Sequence, residues 1–65
     1  MINKKFTIHL NALLAEQADA PGEFVFIGHP VPERESAGWT WYQTQEGALL
    51  KIRKSFIVAI KEENL

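Results

Sequence analysis

The chain contains no cysteine, which excludes disulfides and thiolate metal sites together. It has only two histidines, His9 and His29, too few for a structural metal site without help from carboxylates. No apolar run approaches the roughly 18 residues that a membrane span requires. The opening MINKKF carries two lysines and then alternates, unlike a secretory leader. These absences lead to the expectation of a cytoplasmic protein with no part in a membrane. Neither sign of charge dominates, because seven basic and eight acidic residues leave a net charge of −1. That argues against a protein that coats nucleic acid through bulk charge, yet it leaves room for a local basic patch. Gly-rich phosphate loops, HExxH helices and nucleophile elbows are all missing from the sequence.

What is present is an apolar excess. Sixty-five residues make one domain at most, here 1–65, and a chain so short buries only about 60% of its unfolded surface. The apolar share is nevertheless 46%, with Trp39, Trp41, Tyr42 and four phenylalanines. Such a surplus implies either a dense core or a subunit interface, and the interface is the preferred reading. The expected partner is therefore first of all a second copy of the chain.

Periodicity suggests strands. KFTIHL (5–10) puts Phe6, Ile8 and Leu10 on one face and Lys5, Thr7 and His9 on the other, the alternation of a half-buried strand. In NALLAEQAD, Asn11 can cap a helix whose Leu10, Leu13, Leu14 and Gln17 fall near helical spacing; continued strand is the alternative. Pro21–Gly22 marks a turn. EFVFIGHPV is apolar on both faces, which predicts a strand covered twice. Gly28 within it suggests a bulge or a close backbone approach, and Pro30 and Pro32 are expected to end its pairing. PERESAG (32–38) reads as the most mobile loop. WTWYQTQ (39–45) is a strand turned around at Glu46–Gly47. In ALLKIRKS, Leu50 and Ile52 face inward while Leu49, Lys51 and Arg53 face out. FIVAIKEE closes with Phe56, Val58 and Ile60 on one face, and the EENL tail is expected to fray. About five short strands with room for one short helix define an all-β fold. The economical closure is a small five-stranded barrel of SH3-like or OB-like type, because closing the sheet removes its edges.

Ile52 to Ile60, IRKSFIVAI, resembles the second signature of the Sm-like family. There an apolar strand ends in an Ile-Arg-Gly-Asn corner and a short Ile-x-x-Ile strand follows. Ile52 and Arg53 match the corner's start, Ser55 stands where a small polar residue is common, and Ile57 and Ile60 supply the closing pair. The corner glycine is Lys54 here, and the aspartate and asparagine of the family's first signature have no counterpart. The resemblance implies an Sm-like barrel whose short strands join subunits into rings, with Arg53 placed to meet an RNA base or phosphate.

Two candidate sites follow. Lys51, Arg53, Lys54 and Ser55 form a cationic knot, readable as the solvent face of a strand or as an RNA- or nucleotide-binding patch whose phosphate contacts add charge-assisted hydrogen bonds. Trp39 and Trp41, two apart, project from the same side of a strand. They can be barrel core, a stacking platform for bases, or, with Tyr42, Arg34 and the 32–38 loop, an anchor on a host or complex protein. The opposite side of that strand, Thr40, Tyr42 and Thr44, reads as an amphipathic surface. His29, Glu33, Glu35 and Ser36 share a proline-broken loop too poorly scaffolded for catalysis, and His9 reads as a surface residue. The sequence thus points to a non-catalytic binding protein with no cofactor and no metal. The leading function is a small oligomeric RNA- or nucleotide-binding module, and the alternative is a protein-interaction module such as an accessory subunit or inhibitor.

Overall fold

A computed structural model describes residues 2–65. It is built on one antiparallel sheet in the order β4-β3-β2-β1-β5. The strands are β1 (Lys4–Leu10), β2 (Glu23–Pro30), β3 (Trp39–Thr44), β4 (Leu49–Arg53) and β5 (Ile57–Glu63), with one helix, α1 (Ala12–Gln17). The helix is the chosen alternative for residues 12–17. The Asn11 side chain accepts a hydrogen bond from the Leu14 amide at 3.0 Å, which satisfies one of the amides a helix start leaves open. The helix ends with Asp19 at φ +55°. The Ala20 amide then donates to the Ala15 carbonyl at 2.8 Å, and the Asp19 amide donates to that of Glu16 at 3.1 Å. This is a Schellman closure with aspartate where glycine is usual.

One face of the sheet carries the core. Phe6 lies opposite Phe26, and Ile8 opposite Phe24; on the other flank Ile8 faces Ile60 and Leu10 faces Ile57. Thr40 and Ile52 pair across β3 and β4, as do Tyr42 and Leu50. The rings of Phe6, Phe26 and Tyr42 form a triangle with centroids 5.0–5.5 Å apart, within the favoured range for aromatic pairs. Ile8 is fully enclosed.

Four expectations need correction. The sheet is open rather than closed into a barrel: β4 and β5 stand at its two ends. It is nonetheless strongly curled. A flat sheet would set these strands about 19 Å apart, four spacings of roughly 4.8 Å, whereas the step from Arg53 to Ile57 can span no more than about 14 Å. A one-turn 3₁₀ helix, Lys54–Phe56, makes that step. Second, β2 is not covered twice, because Val25 and Ile27 are 56% and 37% exposed. Third, pairing does not stop short of Pro30, although β2 ends with it. Pro30 faces Tyr42, and the next amide, that of Val31, donates to the Trp41 carbonyl at 2.9 Å. Fourth, β5 does not alternate from Phe56. A register shift between His9 and Leu10 lets both Ile57 and Ile60 oppose core residues, leaving Val58 67% exposed. The strand runs on to Glu63, which pairs with Lys5, so Glu62 and Glu63 are held in the sheet and the last two residues lie outside β5.

Gly28 makes the close approach foreseen for it. It pairs with Lys4 on one side and Thr44 on the other, and a Cβ there would collide with the Gln43 carbonyl oxygen. The 32–38 loop is anchored by a 3₁₀ turn at Pro32–Arg34 and by the Ser36 amide, which donates to the Trp39 carbonyl at 3.0 Å. No helix among the described residues is long and apolar enough to cross a membrane.

Candidate functional site

The hairpin of β3 and β4 creates the most distinctive surface of the molecule. Its turn places Trp39 opposite Arg53 and Trp41 opposite Lys51. Directly opposed residues share a sheet face, so two aromatic rings and two cations stand together, away from the core. Burial confirms the parity. Thr40 and Tyr42 are buried, Trp39 and Trp41 are half-buried, and Lys51 and Arg53 are exposed. The tryptophans are therefore not core residues, and Thr40 and Tyr42 are not an amphipathic surface. Tyr42 fixes the choice by completing the aromatic triangle with Phe6 and Phe26.

Rings and cations interleave. The Lys51 ammonium lies 4.2 Å from the Trp39 ring centroid and 5.6 Å from that of Trp41. The Arg53 guanidinium stands 4.6 Å from Trp39 and 5.9 Å from Phe56. Arg34, brought in by the 3₁₀ turn of the loop, stands 5.2 Å from Trp41. The result is a row running Arg34, Trp41, Lys51, Trp39, Arg53, Phe56. Each exposed cation–π contact is worth about 0.5–1 kcal/mol, enough to order the side chains and weak enough for a ligand to displace.

The corner after β4 is held at two points. The Lys54 amide donates to the Gly38 carbonyl at 3.0 Å, and the Asn11 amide donates to the Phe56 carbonyl at 2.7 Å. Lys54 needs no left-handed backbone, since Asp19 is the one non-glycine residue with positive φ among those described. Its ammonium turns toward Glu35 at 3.7 Å, away from the row. Ser55 is exposed on the same corner.

Of the residues singled out from sequence, the fold thus gathers Trp39, Trp41, Lys51, Arg53 and Arg34. It sets Lys54 and Ser55 to one side and places Tyr42 in the core. Burial raises the Tyr42 phenol above its usual range, and the charges of Glu62 and Glu35 add to the effect. The nearest partner of the His29 imidazole is the Pro30 carbonyl, at 3.1 Å from Nδ1. Phe56 at the row's end was missed. The union of the two candidate sites was legible all the same: counting outward from the 45–47 turn puts Trp41 against Lys51 and Trp39 against Arg53.

Where the row meets the corner, a cleft of about 280 Å³ opens, with Trp39, Lys51 and Arg53 on its lining. No group of three or more His, Asp or Glu residues suited to a metal ion occurs among the described residues. Compared with known proteins, the chain matches no family model, no curated protein and no solved structure.

Proposed function

We propose that the protein is a non-catalytic, cytoplasmic binding module that holds single-stranded RNA on the Trp39–Trp41 face. One observation carries the reading: Lys51 sits over both tryptophan rings, with Arg53 and Arg34 on their outer sides. Stacking a base on an aromatic ring is worth roughly 1–3 kcal/mol, more than the exposed cation–π contact it would replace. The displaced ammonium or guanidinium is then free for the adjoining phosphate. Bases displace cations, and cations meet phosphates. The Sm-like resemblance of Ile52–Ile60 supports the same assignment, with Arg53 at the head of a tight corner between two strands. Self-association into an oligomer, also implied by that resemblance, fits the two open sheet edges and the exposed Val25, Val58 and Ile60; it would join several such rows.

Titration of a fluorescein-labelled oligouridylate, read by anisotropy and tryptophan quenching, tests the assignment. Binding should weaken steeply with salt, and Trp41→Ala and Arg53→Ala should each weaken it about tenfold or more. Absence of binding at low salt, or a Trp41→Ala protein that binds as well as the native one, overturns it. Light scattering gives the mass, and a monomer removes the oligomeric part. A host or complex protein as partner is the second reading, favoured by Arg34 seated on Trp41, residue types that dominate protein hot spots.

A further inference from the structure

The cleft beside the row differs in chemistry from the row itself. Leu10 and Ile52 from the sheet's inner face, with Phe24, Ala20 and Phe56, make its walls. None of these side chains carries a polar atom. Trp39 adds an aromatic side, and Ala18, exposed after the helix, stands on the rim. The only charged residues on the lining are Lys51 and Arg53. Both are exposed, so two positive charges stand at the mouth of an apolar hollow, with no carboxylate on the lining to neutralise them.

We infer that this cleft binds a small apolar carboxylate, its hydrocarbon body inside and its carboxylate between Lys51 and Arg53. The volume of about 280 Å³ lies just under the roughly 300–1,000 Å³ of pockets for drug-sized ligands, which suits a compact acid. A nucleobase fits poorly. Inside the cleft its ring edges would meet the apolar side chains of Leu10, Ala20, Phe24, Ile52 and Phe56, and each polar atom buried without a partner costs about 1–3 kcal/mol. A hydrocarbon chain or plain aryl group suffers no such loss and gains from leaving water. The carboxylate stays at the surface, where Arg53 can offer a forked pair of donors and Lys51 a point charge. The cleft ligand is thus distinct from the RNA assigned to the row, although the two share Lys51, Arg53 and Trp39.

Octanoate, 1-octanol and octylammonium form the probe set, followed through amide shifts and the Trp39 indole signal by NMR. Octanoate should bind at least tenfold tighter than octanol, with octylammonium weakest. Its shifts should centre on Leu10, Ala20, Ile52, Phe56 and the Trp39 indole. Ala18→Phe, which puts a ring on the rim, should weaken octanoate at least tenfold while leaving oligouridylate affinity unchanged. Lys51→Gln/Arg53→Gln should abolish the preference for octanoate over octanol, an independent readout should Ala18→Phe perturb the helix end. Equal affinity for octanoate and octanol in the native protein overturns the inference. Shifts centred on the exposed Val25, Ile27 and Val58, or an unaffected Ala18→Phe protein, do so as well. A native protein that binds octanoate in this way but not oligouridylate supports the cleft and removes the RNA reading alone.

Discussion

Lys51 and Trp39 come from different strands and are not directly opposed, yet the Lys51 ammonium lies closer to the Trp39 ring, at 4.2 Å, than to its cross-strand partner Trp41, at 5.6 Å. The side chain leans diagonally, toward the corner, where Arg53 already covers Trp39. Two cations thus converge on one ring. Their mutual repulsion favours an anion between them, and this makes the Trp39 end the more electropositive end of the row. Lys51→Met keeps much of the stem and removes the charge. It should alter stability by less than about 1 kcal/mol, shift the tryptophan emission, and lower the salt slope of oligouridylate binding by about one. Urea unfolding and a salt titration measure the two effects separately.

Gly28→Ala should be among the most damaging single changes in the chain. The added methyl meets the Gln43 backbone, which cannot swing aside as a side chain can. The three-residue pairing of β2 with β3 must open to relieve it. A loss of about 1–3 kcal/mol, the usual cost of overpacking, is expected in urea unfolding, with weakened hydrogen-exchange protection at Val31 and Gln45, whose amides bond across that junction.

Asp19→Gly should act in the opposite direction. Aspartate at φ +55° holds a conformation that glycine adopts freely. A gain of about 0.5–1 kcal/mol is expected, read as a higher urea midpoint. Asp19→Ala should lose stability at the same position, because alanine tolerates the left-handed region less well than aspartate.

Tyr42 gives the fold a defined alkaline limit. Burial, reinforced by Glu62 and Glu35, raises its phenol above the usual range, so the folded state keeps the proton to higher pH than the unfolded chain, which releases it near pH 10. The unfolded state therefore binds fewer protons, and stability falls as pH rises from about 10 through the folded value. Below that window the contribution is fully present. Tyr42→Phe should flatten this part of the profile, measured as the difference between the two proteins so that lysine titration cancels. Equal slopes would show the phenol to be unperturbed.

The local elements were legible in the sequence to different degrees. Alternation in KFTIHL gave β1 its inward Phe6, Ile8 and Leu10, and the same alternation separated Leu50 and Ile52 from Lys51 and Arg53. Asn11 marked a helix start and Gly28 a close approach, because capping and the lack of a Cβ act over a few residues. Other features resisted. The apolar run of β2 suggested cover on both faces, yet Val25 and Ile27 on its outer face are exposed, since run composition records what a strand can bury and not what lies over it. The phase expected for β5 fails because a register shift against β1, a property of the pair, sets Ile57 opposite Leu10 and packs it on the core, while Val58 and Ile60 stay exposed. The Trp39–Trp41 parity was read from its spacing, but its direction was not. Alternation is unchanged when a strand is turned over, and both parities of WTWY hold large rings.

The residues alone thus determined a small β protein with one short helix, a turn at 45–47, and cations and tryptophans in matching phase on adjacent strands. The tertiary structure decided which way that hairpin faces. Tyr42 reached Phe6 and Phe26 across β2, and burying it there turned Trp39, Trp41, Lys51 and Arg53 outward as one surface. The curl of the sheet, imposed by a short corner between its two end strands, brought Phe56 and the helix end beside them. Contacts between residues far apart in the chain make that choice, because the free energy of enclosing one face is settled only when its partners arrive.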